Sequence, residues 1–201
     1  MKLNKKEGLV RLAKQELLSA LFMMIAFCAT AKETPEQILK LLPTEVEGTS
    51  AKPIHVYPEP ESGASIGYNF DVATVTLYIY DLGETNIENG IASEFILSVK
   101  NATVEGIATG DTWQNSKVIS DGSKEFALGN NKKISVLFTQ FTLEDKNTLT
   151  GVSTQLRSDL YILGTKAHIC KIRITRPANN SEAQEQKIEK IISELLSKIA
   201  D

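Results

Sequence analysis

The run Val72-Ala73-Thr74-Val75-Thr76-Leu77-Tyr78-Ile79-Tyr80 constrains this chain more than any other stretch. It consists largely of β-branched and aromatic residues, which pack well on a pleated surface and crowd a helix. Successive side chains of a strand point to opposite faces. Ala73, Val75, Leu77 and Ile79 therefore form one row, and Thr74, Thr76, Tyr78 and Tyr80 the other. The first row is wholly apolar and the second amphipathic, so the fold must supply a layer that covers at least one face of a sheet.

Such a layer is encoded near the C-terminus. Ser181-Glu182-Ala183-Gln184 has the form of a capping box, in which the Ser and Gln side chains satisfy backbone N–H groups reciprocally. Ile188, Ile191, Ile192, Leu195, Leu196 and Ile199 then recur at helical spacing, with Glu189, Lys190, Glu194 and Lys198 turned away. This helix is expected to cover the sheet of its own domain. The alternative is a zipper between two copies of the chain.

The remaining elements follow from local signals. Thr34-Pro35-Glu36-Gln37 opens a short helix with Ile38, Leu41 and Leu42 as its apolar face and Pro43 as its stop. Residues 43–53 read as loop, and Ile54–Tyr57 as a short strand. Residues 65–69 and 72–80 flank Phe70-Asp71 as a hairpin. Residues 92–105 read as a helix behind an N-cap at Ser93, eroded by Gly106 and Gly110. The polar stretch 110–133 holds strand-like pieces around Trp113–Ile119 and Glu125–Leu128, and a turn at Gly129-Asn130-Asn131. Strands follow over Ile134–Leu143, Leu156–Leu163 and Ala167–Thr175. The short gap containing Gly164 makes the last two a hairpin, and Pro177 ends them. Hairpin turns, and helices that do not alternate one per strand, predict an α+β fold: an antiparallel β-sheet packed by helices, sandwich-like, with a C-terminal amphipathic helix.

The first thirty-one residues read as an address. Lys2, Lys5, Lys6, Arg11 and Lys14 against Glu7 and Glu16 precede an apolar run from Leu17 to Ala31 that ends in Ala29-Thr30-Ala31. A charged start, a short apolar run and small residues at the cut describe a secretory signal peptide. Cleavage is expected after Ala31. The run is short of the roughly 20 residues a membrane span needs, so no stable span remains after cleavage. Lipidation at Cys28 would want a small residue before it, where Phe27 stands. The expected organisation is signal peptide 1–31, N-terminal helix and loop 32–53, and a single α+β domain 54–201, in a soluble periplasmic or secreted protein. The whole chain has 22 Lys and Arg against 25 Asp and Glu. Removing the leader's five basic and two acidic residues leaves 17 against 23, a charge of −6. That balance disfavours nucleic acid as a partner. It also leaves Cys170 alone, on the inward row of its strand with His168, Ile172 and Ile174.

Little in the sequence spells out a reaction. No His-Glu-x-x-His, Gly-x-Ser-x-Gly or phosphate-binding glycine loop occurs. No catalytic residue, metal site or cofactor is assigned, and His168 reads as a core histidine. One constellation stands out. Tyr78 and Tyr80 share a strand face, and so do Lys171 and Arg173. If the two faces coincide, the sheet presents aromatic rings and two cations that suit an anionic or sugar-like ligand. The plain alternative is amphipathic strand positions, with tyrosines covering the sheet and cations in water.

Ala73–Gly83, Tyr161-Ile162-Leu163-Gly164 and Lys171-Ile172-Arg173 together resemble a group of uncharacterised exported proteins of Gram-negative bacteria. The general plan is similar to the α/β/α sandwich of PsbP and Mog1 proteins. These resemblances imply a periplasmic binding or accessory module, without an assigned reaction, whose partner is an unknown protein or small molecule of the cell envelope. Two other expectations stand beside it. One is a small hydrolase with a site assembled from loops, using His55 or Asp159. The other is a homodimer through the C-terminal helix.

Overall fold

A computed structural model describes residues 32–71, 73–110, 114–129, 131–146 and 153–200. The expected leader, with Cys28, lies outside the described residues, as does Trp113. From Glu33 onward the chain is one compact unit.

The first helix, α1 (Pro35–Leu39), has the expected capping box: the Gln37 N–H donates to Thr34 Oγ1 at 3.3 Å, and the Thr34 N–H to Gln37 Oε1 at 2.8 Å. Its buried face is Ile38, Leu39 and Leu42, whereas Leu41 is exposed. The helix ends at Leu39, so helical spacing does not carry on to residue 41. Residues 43–53, expected as loop, hold a small hairpin of β1 (Glu45–Val46) and β2 (Thr49–Ser50). Glu47 and Gly48 both have positive φ, the backbone of a tight two-residue hairpin turn.

The main sheet has seven strands: β3 (His55–Val56), β4 (Ala64–Asn69), β5 (Thr74–Tyr80), β6 (Gln114–Gly129), β7 (Lys132–Lys146), β8 (Ser153–Thr165) and β9 (His168–Pro177). Their order across the sheet is β3-β4-β5-β9-β8-β7-β6, and every neighbouring pair is antiparallel. Two meanders therefore meet at β5 and β9. Between them α2 (Glu94–Thr109) carries the chain to the far edge, from which the second meander returns. After β9 the chain ends in α3 (Glu182–Ile199).

The α+β expectation holds, as three layers. On one face α1 and α3 cover Val75, Leu77, Ile79, Cys170, Ile172 and Ile174. On the other, Ile96, Val99 and Ile107 of α2 cover Phe141, Leu143, Leu160 and Ile162. All six Ile and Leu residues of α3 are buried against this sheet, so that stripe serves the chain's own core.

Three elements differ from the sequence reading for identifiable reasons. The α2 helix passes through Gly106 and stops at Gly110, whose N–H donates to the Gly106 carbonyl at 3.1 Å. A mid-helix glycine costs about 1 kcal/mol, which burial of Ile107 offsets. The two expected pieces of residues 114–128 form one long edge strand, whose register slips at three places break the apolar alternation. The β8–β9 hairpin exists, but Gly164 does not make its turn. Lys166 and Ala167 do, both with positive φ. Gly164 lies inside β8, bridged to Gly90, and a Cβ there would sit 1.9 Å from the Glu88 carbonyl oxygen. Only glycine lets the segment before α2 cross so close to the strand.

Candidate ligand site

The strand register brings the two predicted faces together. Tyr78 pairs directly with Lys171, and Thr76 with Arg173. One row of partners runs His55, Ser65, Tyr78, Lys171, Ile162, Leu137 across six strands. The row is polar on β3 to β9 and apolar on β8 and β7, because α2 packs mainly on β6, β7 and β8. Covered positions took apolar residues. Those beyond the helix kept rings and cations.

At this boundary lies a concavity of about 280 Å³, lined by Tyr57, Ser62, Tyr78, Tyr80, Leu82 and Lys171. Its rim is the single helical turn Pro60–Ser62 and the turn at Leu82. The Leu82 N–H donates to the Glu61 carbonyl at 3.0 Å, which ties the two together. Gly63 has a φ of 68°, and a Cβ there would fall 2.0 Å from the Ile79 carbonyl oxygen. The rim reaches this position only with glycine.

Within the concavity, Lys171 Nζ sits 4.3 Å from the centre of the Tyr78 ring and 5.3 Å from that of Tyr80. The negative ring faces attract the ammonium. Among the described residues Lys171 has no carboxylate partner and no hydrogen bond. Burial, and then the nearby Arg173 guanidinium, lower its pKa below the ordinary lysine value. Burial also pushes Tyr78 and Tyr80 up, so both stay neutral phenols. The Tyr57 hydroxyl shares a hydrogen bond of 3.2 Å with Ser65 Oγ, and the Tyr80 hydroxyl meets the Thr103 side chain.

Three of the four predicted site residues thus line one concavity. Arg173 does not line it: it lies two register positions along, where its Nε donates to Ser158 Oγ at 3.2 Å. Tyr80 is also a core residue of the α2 layer. Tyr57, Ser62 and Leu82 were not legible, since they come from connections whose positions depend on the rim.

No protein-family model matches this sequence, and no curated protein matches it either.

A second charged cluster lies on the opposite face. Arg176 is fully buried and pairs with Asp159 at 2.9 Å and Glu185 at 2.8 Å. Asp159 also accepts from Gln140 Nε2 at 2.7 Å and from the Tyr161 hydroxyl at 3.3 Å. Burial and the Asp159 charge push the Tyr161 phenol far up. The signal missed in the sequence was Arg176 itself, a cation continuing the inward row His168, Cys170, Ile172, Ile174. Such a residue must find carboxylates.

This geometry separates the two hydrolase candidates. His55 stands on the edge strand β3, on the α2 face, with its ring 4.7 Å from that of Tyr57. Asp159 is clamped on the α3 face, four strand spacings across the sheet, and so at least about 19 Å away. His168 is buried, with Nδ1 2.7 Å from the Lys166 carbonyl oxygen, and burial pushes the Cys170 thiol up. Among the described residues no group of three or more His, Cys, Asp or Glu is placed to hold a metal ion, and no helix is long and apolar enough to cross a membrane.

Proposed function

We propose that this chain is an exported envelope protein that acts as a binding or accessory module, with its ligand site in the concavity around Lys171. Export is argued from the charged start, apolar run and Ala29-Thr30-Ala31 of the leader. The site is argued from one observation above the others. Lys171 is a half-buried cation that faces aromatic rings in a concavity and has no carboxylate partner among the described residues. A desolvated ammonium without a counter-charge is stabilised by an arriving anion. Arg173, two register positions away on the same face, adds to the positive field in a domain expected to be net acidic.

Two measurements test the two halves of this reading. Protein recovered from the envelope fraction of producing cells should have the mass of a chain that begins at Lys32. A mass beginning at Met1 would overturn export with cleavage. Titration of the purified protein with millimolar glucuronate and benzoate, followed by NMR, should shift the signals of Tyr57, Tyr78 and Lys171 with at least one of them. Shifts scattered elsewhere, or none with either, would overturn the site.

A further inference from the structure

The hydrogen-bonding capacity left in the concavity is small, and this narrows what it can hold. Its walls are three tyrosines and Leu82, an exposed leucine at the mouth. Of the four lining hydroxyls, that of Tyr57 is engaged with Ser65, and those of Tyr78 and Tyr80 face the side chains of Thr76 and Thr103. The Ser62 hydroxyl has no partner among the described residues, and neither does the Lys171 ammonium. A sugar ring brings several hydroxyls, each of which loses water on entry and needs a replacement partner. The wall of rings and Leu82 offers few such partners beyond Ser62 and the Lys171 ammonium. An aromatic ring needs none, and gains from contact with tyrosine faces and Leu82. The volume of about 280 Å³ falls just below the ~300–1,000 Å³ usual for ligand pockets, and suits a single ring.

The geometry points to a small aromatic carboxylate as the ligand class, its ring against Tyr57, Tyr78 and Leu82 and its carboxylate on Lys171 with Ser62 as a second donor. One uncompensated cation calls for a single negative charge, and a planar carboxylate can accept from both donors at once. The inference rests on the site proposed above and selects the ligand class within it.

Benzoate, glucuronate, benzyl alcohol and inorganic phosphate separate the contributions. Benzoate should bind at Tyr57, Tyr78 and Lys171 with a Kd at least about tenfold below those of the other three. Lys171→Met, which keeps the apolar stem, should raise the benzoate Kd by at least about tenfold and leave benzyl alcohol unchanged. Leu82→Ser, at an exposed position, keeps the test open should Lys171→Met not fold. It should weaken benzoate several-fold and leave phosphate unchanged. Glucuronate or phosphate binding more tightly than benzoate at these residues would overturn the aromatic class while leaving an anion site in place. Benzoate affinity unaltered in Leu82→Ser would also overturn it. If no probe perturbs these residues, the site itself falls.

Discussion

Lys171 and Arg176 lie on the same strand, five residues apart and on opposite faces of the sheet. Arg176 is fully buried with two carboxylates and a supporting shell of Gln140 and Tyr161. Lys171 is half-buried over two rings, with no carboxylate partner among the described residues. The first has every partner it needs within the chain, and it joins α3 to β8 and β9. The second is held mainly by ring quadrupoles, with a charge the fold does not neutralise. A buried charge whose partners are internal reports structure, whereas one without them reports an available interaction. The two sites differ because α3 brings Glu185 to the sheet on one face, while α2 stops short of Lys171 on the other.

The contrast predicts different responses to substitution. Arg176→Met should show the largest loss, about 3–5 kcal/mol by chemical denaturation, because it leaves Asp159 buried without its counter-charge. Adding Asp159→Leu should recover part of that loss. No recovery would show that packing, not the stranded charge, dominates there. Tyr80→Ala comes next, at about 3 kcal/mol by thermal unfolding, since it opens a hole in the α2 layer. A negligible loss would place Tyr80 with the ligand surface alone. Lys171→Met should change stability least, within about 0.5 kcal/mol near neutral pH. Its effect should also depend on pH in a defined direction. Burial and Arg173 hold the folded pKa of Lys171 below 10.5, so below that value lies a window in which the unfolded chain binds the extra proton. There the group's contribution to stability rises with pH. The stability of the native sequence relative to Lys171→Met should therefore increase as pH climbs toward 10.5. Tyr78 and Tyr80 facing it are raised above 10.0 in the folded chain and so contribute with the opposite sign near that pH, but both proteins carry them and their contribution cancels in the difference. A difference that stays flat would mean the ammonium is well solvated, and the contrast with Arg176 would weaken.

Much of the scaffold was readable because its determinants are local. The alternation of Ala73–Tyr80, the capping boxes at Thr34 and Ser181 and the stripe of α3 are short-range patterns tied to the period of their element. Half of the site was readable for the same reason: strand parity put Tyr78 with Tyr80 and Lys171 with Arg173, and pairing of β5 with β9 then brought the two pairs to one face. What escaped depended on distant segments. Gly164 looked like a turn residue, yet its lack of a Cβ matters because the Glu88 carbonyl crosses it. Tyr57, Ser62 and Leu82 enter the site from connections. Arg176 gained its meaning only when Asp159 and Glu185 arrived from another strand and a helix.

The sequence by itself determined most of the strands and helices, which row of the central strands faces inward, and that an antiparallel sheet had to be covered. Those properties follow from side-chain shape and periodicity over a few residues. Only the tertiary structure decided how far α2 reaches across its face. That extent set which polar residues became buried pairs, which stayed in the open half, and that Lys171 would stand at the border, because the cost of burying a charge depends on what the rest of the chain places beside it.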